Sequence, residues 1–380
     1  MPTEALGSLS QGHAFEIVAR GEGARRWMAR GDPYSAGVAY VKGLIDVQGD
    51  LIEAVRYQLA HAGATWRRQL LDTVCRWTPW RLTQRWSGRA ATARNIRFHY
   101  DRSNEFYRQF LDSRLVYSCA YFKKPGEAQG EDSLDGAQLA KLDHICRKLR
   151  VQEGDRFLDI GCGWGALVIH AAHCFGATAS GCTLSIHQAE YAAERVRQDR
   201  LAASIHEMDY RDVTGEFDKI ASVGMFEHVG RAQLETYFRK VYSLLAADGL
   251  FLNHGLTRPA GVRSNAQSMF LARKVFPGFQ LLHLDEAIRT AERVGFEVLD
   301  VENLRRHYAL TTRAWVERLR ANREACLKAV DEETWRTWQL YLAGCSVAFE
   351  DGDMGIHQVL FSKKGASYAA PMTRDYMYQV

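Results

Sequence analysis

The chain has 380 residues and a mass of 43.1 kDa, which is enough for two or three domains or for one elaborated α/β domain. Hydrophobic residues make up 47% and charged residues 25%, so the chain can form a core and is not disordered. Its formal net charge of +4 is too balanced for a dedicated nucleic-acid binder.

The sequence has no evident export or membrane-spanning signal. Its first residues lack a basic region followed by an apolar one, and no apolar stretch is long enough to span a bilayer. The eight cysteines have no zinc-binding spacing. We therefore expect a cytoplasmic globular protein with reduced thiols and no metal ion.

Residues 13–62 are predicted to form short helices. Their apolar residues have mixed helical spacing, Gly43 and Gly49 are helix breakers, and Asp50 is a plausible N-cap. We assign residues 1–90 to a helical, lipid-facing amino-terminal domain and residues 91–380 to a catalytic domain.

Arginine and tryptophan are concentrated in residues 66–97, called the Arg/Trp segment below. It contains eight arginines against one aspartate, and four of the nine tryptophans of the chain. Guanidinium groups bind phosphates and indoles settle at headgroup depth, so the segment fits an anionic membrane surface. The alternative is a linker helix with solvated arginines and with tryptophans packed on the next domain.

From residue 151 onward, strands alternate with helices until a final strand near residue 354. Seven strands separated by helices predict a doubly wound, Rossmann-like α/β sheet with its ligand at the carboxyl ends of the strands. The final strand follows a long helical excursion, and we predict it to be an antiparallel strand at the sheet edge.

A glycine loop follows the first of these strands, with Gly161, Gly163 and Gly165 after Asp159. The G-x-G-x-G spacing is one residue tighter than the dinucleotide fingerprint, and the acidic ribose-binding residue expected about 20 positions later is missing. A tighter loop without a pyrophosphate to bind favours S-adenosylmethionine, whose carboxylate suits a helix amino end.

Five ordered motifs resemble those of the cyclopropane-fatty-acyl-phospholipid synthases and mycolic acid cyclopropane synthases, within the S-adenosylmethionine-dependent methyltransferases. They are HYDRSNEFYRQFLDSRLVYSCAYF, LDIGCGWGAL, GCTLSIHQ, VGMFEHVG and HYALTTRAW, and the resemblance extends from about residue 98 to residue 363. One departure is Pro277-Gly278-Phe279, where the family often has Pro-Gly-Gly, which affects the lipid entrance rather than the chemistry.

The resemblance implies roles for individual residues. Those implied to contact S-adenosylmethionine are Tyr117, Ser118, Gly161, Gly163, Gly165, Thr183 and Gln188. Those implied to surround a bicarbonate ion, with the Leu256 backbone assisting, are Cys119, Glu227, His254 and Tyr308, and Cys345 is sometimes given an active-site role. No metal is implied, and adjacent Glu227 and His228 do not share a helix face.

Taken without the resemblance, each of these residues has an ordinary alternative. Glu227 could be a helix-start carboxylate, Cys119 a small buried hydrophobe, His254 a hydrogen-bonded core histidine and Tyr308 a packing residue. Cys345 has no basic neighbour to lower its pKa, and the chemistry needs no thiol nucleophile.

The resemblance implies methyl transfer to the cis double bond of an unsaturated phospholipid acyl chain, followed by cyclopropane closure after bicarbonate removes a proton. With the Arg/Trp segment, we expect the partner to be an anionic membrane surface, contacted peripherally from the cytoplasm, and a homodimer is left open. The alternatives are a methyltransferase for another lipid or a small amine, one that leaves a methyl branch, and a non-catalytic S-adenosylmethionine-binding lipid-surface protein.

Overall fold

A seven-stranded mixed sheet forms the centre of the structure, which is a computed structural model describing residues 14–20, 24, 33–61, 103–124, 133–262, 275, 281–366 and 371–378. The strands within these ranges are β1 (Phe15–Ala19), β2 (Ile45–Gly49), β3 (Arg156–Ile160), β4 (Thr178–Thr183), β5 (Ala203–Glu207), β6 (Phe217–Val223), β7 (Leu245–Thr257), β8 (Phe296–Asn303) and β9 (Gly355–Lys363). The helices are α1 (Pro33–Val41), α2 (Leu51–His61), α3 (Asn104–Arg108), α4 (Leu134–Lys148), α5 (Ala166–Phe175), α6 (Ile186–Gln198), α7 (Phe226–Val229), α8 (Leu234–Leu244), α9 (Leu284–Val294), α10 (Arg305–Ala321), α11 (Arg323–Ala329) and α12 (Glu332–Asp351).

The order of the strands in the large sheet is β5-β4-β3-β6-β7-β9-β8, and the first five are parallel. The connections run outward in opposite directions from β3 and β6, so the carboxyl ends of these two strands flank the crevice where such sheets bind ligands. This arrangement confirms the predicted doubly wound α/β fold.

The last strand differs from its prediction in one respect. β9 is antiparallel, as expected, but it lies between β7 and β8 and is not an edge strand. Seven of its nine residues are buried, because both of its faces are covered. The edge position belongs to β8, on which buried residues are interrupted by exposed ones.

The amino-terminal segment is not made of helices alone, so that prediction was wrong. β1 and β2 form a two-stranded antiparallel sheet in which Ile17 pairs with Val47. Both strands carry β-branched residues at these positions, which favours extended backbone over a short helix. The predicted N-cap is confirmed, since Asp50 Oδ1 accepts from the backbone N–H groups of Ile52 at 2.8 Å and Glu53 at 3.2 Å.

The amino-terminal elements pack on α12. Tyr40 Oη of α1 donates to Gln339 Oε1 at 2.7 Å, and the buried Arg336 donates to the backbone oxygens of Tyr40 and Ile45. Buried side chains of α1 and α2 also share a hydrophobic cluster with α3, α10 and α12. The hydrophobic cluster formed by α3, α10 and α12 therefore also includes side chains of α1 and α2.

Three features of the sequence lie outside the described residues. They are the Arg/Trp segment, the domain boundary predicted at residue 90 and the Pro277-Gly278-Phe279 departure. Among the helices that are described, none combines the length and hydropathy needed to cross a bilayer.

Candidate active site

A cavity opens at the carboxyl ends of β3, β4 and β6, next to the crevice between β3 and β6. Six of the seven residues predicted to contact S-adenosylmethionine line it, namely Tyr117, Ser118, Gly161, Gly163, Thr183 and Gln188. Gly165 is not part of its wall. We call this space the cofactor cavity.

The glycines of the loop serve different purposes, although each has a left-handed φ. A Cβ on Gly161 would lie 2.9 Å from Met225 Cβ, and one on Gly165 would lie 2.7 Å from Ala192 Cβ. Gly165 is therefore needed for close packing of the loop on α6. Gly163 has φ +54°, and a Cβ on this residue would meet nothing within 4 Å, because it would face open space at the cavity wall.

A strained loop of residues 115–122 contributes its first four residues to the cavity wall. Its first residue, Leu115, has a left-handed φ of 57°, a conformation that costs a branched side chain about 1–3 kcal/mol. Gln138 of α4 compensates by donating from Nε2 to Ser118 O at 2.9 Å. The loop is thus held in place by α4, and it presents Ser118 to the cavity.

Glu227 lies on α7, directly after β6, and is fully enclosed. Its Oε1 accepts from the backbone N–H of Leu256 at 2.5 Å, while its Oε2 has no hydrogen-bond partner among the described residues. Burial raises the pKa of the Glu227 carboxyl from 4.5 to about 7, and the Leu256 hydrogen bond opposes this shift. The Leu256 N–H, predicted to assist an ion directly, already has an acceptor in the Glu227 carboxylate.

His254 is buried at the end of β7, two residues before Leu256. Its Nδ1 lies 3.1 Å from Gln358 Nε2, and with this orientation of the Gln358 amide Nδ1 accepts and the imidazole proton is on Nε2. Burial lowers the pKa of His254 to about 3, and the nearby charges of Lys141 and Lys148 add to the effect. The ring is therefore neutral, and its Nε2–H is a buried donor that no described residue accepts.

Comparisons with known proteins found relatives that match most of the predicted catalytic domain. Residues 88–359 match the family model described as mycolic acid cyclopropane synthetase. The chain belongs to this family. A probable fatty acid methyltransferase of Pseudomonas putida is 40% identical over 357 residues, covering 90% of this chain and 86% of that protein.

Two further relatives come from the cyclopropane synthases. Cyclopropane mycolic acid synthase 1 of Mycobacterium tuberculosis is 33% identical over 286 residues, covering 71% of this chain and 96% of that protein. The crystal structure of mycolic acid cyclopropane synthase CmaA1 complexed with SAH and CTAB superposes with a TM-score of 0.67 at 32% identity, covering 71% of this chain and 98% of that one. The predicted family and the fold of an S-adenosylmethionine-dependent methyltransferase are thereby confirmed.

The cofactor cavity of this cyclopropane synthetase family member fits S-adenosylmethionine on its own residues. Gly163 leaves room for a ligand to approach the backbone, and the buried carboxylate of Asp159, at the same wall, has an Oδ1 without a described partner. Thr183 Oγ1 donates to Gln188 Oε1 at 2.8 Å, which fixes the two side chains relative to each other at the cavity wall. An open backbone approach and charged groups for an amino acid moiety are what this cofactor requires.

Cys119, Tyr308 and Cys345 lie close to Leu256 and hence to the Glu227 side of the site. Cys119 and Tyr308 share a small apolar cluster with Leu256, and Cys345 belongs to a neighbouring cluster that also contains Tyr308 and Leu256. Burial raises the pKa of the Cys119 thiol and raises that of Cys345 to about 12. Both remain thiols at neutral pH, so neither is a thiolate nucleophile.

Three polar residues of the site were not predicted. Lys141 and Asp159 line the cofactor cavity, and Gln358 orients His254. Asp159 stood in the glycine motif and Lys141 on α4, which carries a clear N-cap at Ser133. Gln358 had no local signal, because its position opposite His254 depends on the pairing register of β7 and β9.

Proposed function

We propose that this protein transfers a methyl group from S-adenosylmethionine to the cis double bond of an unsaturated phospholipid acyl chain and then closes a cyclopropane ring. S-adenosylmethionine supplies the methyl group from its sulfonium. A bicarbonate ion, held beside the cavity, supplies the base that takes a proton from the added methyl group.

The observation that carries this proposal is a pair of enclosed polar atoms without partners. His254 Nε2 is a donor and Glu227 Oε2 is an acceptor, and neither has a described partner although both are buried. Such groups are costly unless a ligand satisfies them. Bicarbonate fits this donor and acceptor set, since its anionic oxygens accept and its hydroxyl donates.

The charge states of the two side chains support the same assignment. A neutral His254 donates to an anion without itself delivering a proton, because its pKa is far below neutral. Glu227 ionises near pH 7 and then accepts a hydrogen bond from a hydroxyl. Glu227 and His254 thus orient the base, while Cys119 and Tyr308 close the apolar side of the site.

An alkene is a weak nucleophile, and methyl transfer to it leaves a positive charge on the chain. Water must be excluded, and aromatic faces stabilise the charge. Two rings of the cavity wall, Trp164 and Tyr117, meet this need, and each is held by a second ring. Tyr107 packs on Trp164 with 4.9 Å between centroids, and Trp315 packs on Tyr117 with 5.1 Å between centroids. Tyr117 and Trp164 line the cofactor cavity directly.

A methyl-branched fatty acyl product is the second candidate. It is favoured by the Pseudomonas putida relative, which is named a probable fatty acid methyltransferase and covers nearly the same length. Both candidates use the same methyl transfer and both lose one proton. Loss from the added methyl group with closure onto the cation gives the ring, whereas loss from a carbon adjacent to the cation leaves a double bond.

Lipid mass spectrometry of a bacterial host without cyclopropane lipids tests the proposal. On expression of the protein, we expect unsaturated phospholipid chains to gain the mass of one CH₂ group and to resist ozonolysis, since the double bond is gone. Chains of the same mass that are still cleaved by ozone would support the methyl-branched product. An unchanged phospholipid profile in a host that makes the folded protein would contradict both.

We further propose that the Arg/Trp segment holds the protein on an anionic membrane surface from the cytoplasmic side. Replacing Arg81, Arg85 and Arg89 with glutamine should then weaken binding to vesicles that contain anionic phospholipid. The attraction should fall as salt is raised, because exposed charges are screened over about 8 Å at physiological ionic strength. Vesicle co-sedimentation over a salt series measures the effect.

A matched control removes the same charge elsewhere. Arg197, Arg239 and Arg289 are exposed on helices of the large sheet's outer layers, and replacing them with glutamine lowers the net charge equally. We expect this control to bind vesicles like the wild type. Equal binding of the wild type to neutral and anionic vesicles would show instead that the segment is a linker.

A further inference from the structure

Helix α4 carries two buried lysines in very different surroundings. Lys148 Nζ pairs with the carboxylate of Asp300 at 3.3 Å and also with that of Glu302. Lys141 Nζ, two turns earlier, has one described partner, the neutral hydroxyl of Ser118 at 2.9 Å. The buried Asp112 is close enough to act on this ammonium electrostatically, but no described carboxylate is in ion-pair contact with Lys141, in contrast to Lys148.

Lys141 lies at the wall of the cofactor cavity together with Asp159, a second buried charged side chain without an ion-pair contact among the described residues. Lys141, Ser118 and Asp159 all line the cavity, and the side chains of Lys141 and Asp159 are almost fully buried. The two charges are not in ion-pair contact, and Asp159 Oδ1 has no described partner. Burial lowers the pKa of Lys141 to about 8 and raises the pKa of Asp159 to about 7, which reflects the cost of keeping both in the wall.

Two opposite buried charges that face one cavity without touching fit a ligand with both charges of its own. The amino acid end of S-adenosylmethionine has an α-carboxylate and an α-ammonium on one carbon. Its carboxylate would satisfy the Ser118 hydroxyl, whose oxygen is held by the Lys141 ammonium. Lys141 is the only lysine among the described residues that line the cavity.

We propose that Lys141 is a positioning residue, which acts through Ser118 to make the cavity select nucleosides with an intact α-amino acid end. The inference rests on the proposed cofactor and is independent of the lipid substrate. It predicts a specific loss of affinity when the lysine is removed, confined to ligands that carry the carboxylate.

The test compares two ligands by calorimetry, S-adenosylhomocysteine and 5′-methylthioadenosine, which share the nucleoside and the thioether but differ in the amino acid end. For Lys141→Met we expect affinity for S-adenosylhomocysteine to fall about 10–100-fold, since a charged hydrogen-bonding group is lost. Affinity for 5′-methylthioadenosine should stay within about twofold. Equal weakening of both ligands, or no change in either, would overturn the proposal.

Two further variants keep the test decisive. Lys141→Met leaves the buried Asp159 without its cationic neighbour, which can prevent folding. In that case the double variant Lys141→Met/Asp159→Asn removes both charges, and it should lose the same discrimination between the two ligands. Lys148→Met, on the same helix but outside the cavity wall, should lower the melting temperature and keep the wild-type ratio of affinities. A wild type that binds neither ligand would overturn the cofactor assignment itself.

Discussion

Replacing Glu227 with glutamine is expected to lower turnover of the lipid product about 10²–10⁴-fold, the usual cost of losing a positioned general base. Glutamine keeps the volume and the Oε1 acceptor for Leu256 N–H, but its amide cannot accept the hydroxyl of bicarbonate at the second position. Affinity for S-adenosylhomocysteine should be unchanged, because Glu227 is not part of the cofactor cavity wall. Single-turnover product formation and calorimetry measure the two effects.

The pH profile gives this prediction a second signature. The pKa of Glu227 is about 7 in the folded protein, so the wild-type rate should rise through that value as the carboxylate forms. The rise should be missing in Glu227→Gln. Bicarbonate depletion should slow the wild type and barely affect the variant, whereas a wild type indifferent to bicarbonate would refute the assignment of the base.

The free energy of unfolding shows whether Glu227→Gln loses activity without losing its fold. The folded-state pKa of Glu227 is above its ordinary value, so the stability it contributes is complete below about pH 4.5 and is lost as pH rises through about 7. At pH 8 the glutamine variant should therefore be more stable than the wild type by about 1–3 kcal/mol. Glu235→Gln, on the exposed surface of α8, should change neither rate nor stability.

Gly163→Val is expected to weaken S-adenosylmethionine binding by about 100-fold or more, since a side chain would occupy space that the cofactor needs. The free protein should accept the change, because a Cβ at this position meets nothing within 4 Å. The left-handed φ of +54° should cost about 1–2 kcal/mol of stability. Calorimetry and thermal unfolding separate the two effects.

Gly154→Val is the matched control for backbone strain. Gly154 has φ +84° and equally open surroundings, but it lies in the turn before β3 and outside the cavity wall. Its substitution should cost similar stability and leave cofactor affinity intact. If both variants bind the cofactor equally well, the glycine loop does not contact it.

The sequence was sufficient for the five parallel strands β3 to β7, because short strand-like runs alternate with helical segments there, although β4 and β5 are not continuous apolar runs. It also located the candidate site, since Glu227 and His254 follow or end strands whose carboxyl ends meet at one edge. The interior position of β9 in the strand order could not be predicted, because an apolar strand has the same sequence pattern at an edge or in the interior of a sheet. The β1–β2 pair was missed since five-residue strands give too short a pattern to distinguish from a helical turn.

The polar groups that tune the site were harder to predict than the residues that form it. Gln358 is about a hundred residues from His254, and only the pairing of β7 with β9 brings them together. Lys141 was accessible in principle, because Ser133 marks a helix start and Leu134, Ala137 and Leu142 follow at helical spacing. That its ammonium would be buried without a carboxylate depends on packing and is not visible in the sequence.

Because β9 lies between β7 and β8, this part of the sheet cannot form during synthesis until β9 has been made. β7 pairs with β9 over eight consecutive positions, so until residue 363 has left the ribosome one side of β7 is an unpaired edge. The helices α1 and α2 must likewise wait for α12, on which they pack. A nascent chain therefore acquires the hydrogen bond between Gln358 and His254 only after β9 has been made, and until then its β7 edge is open to pairing with other chains.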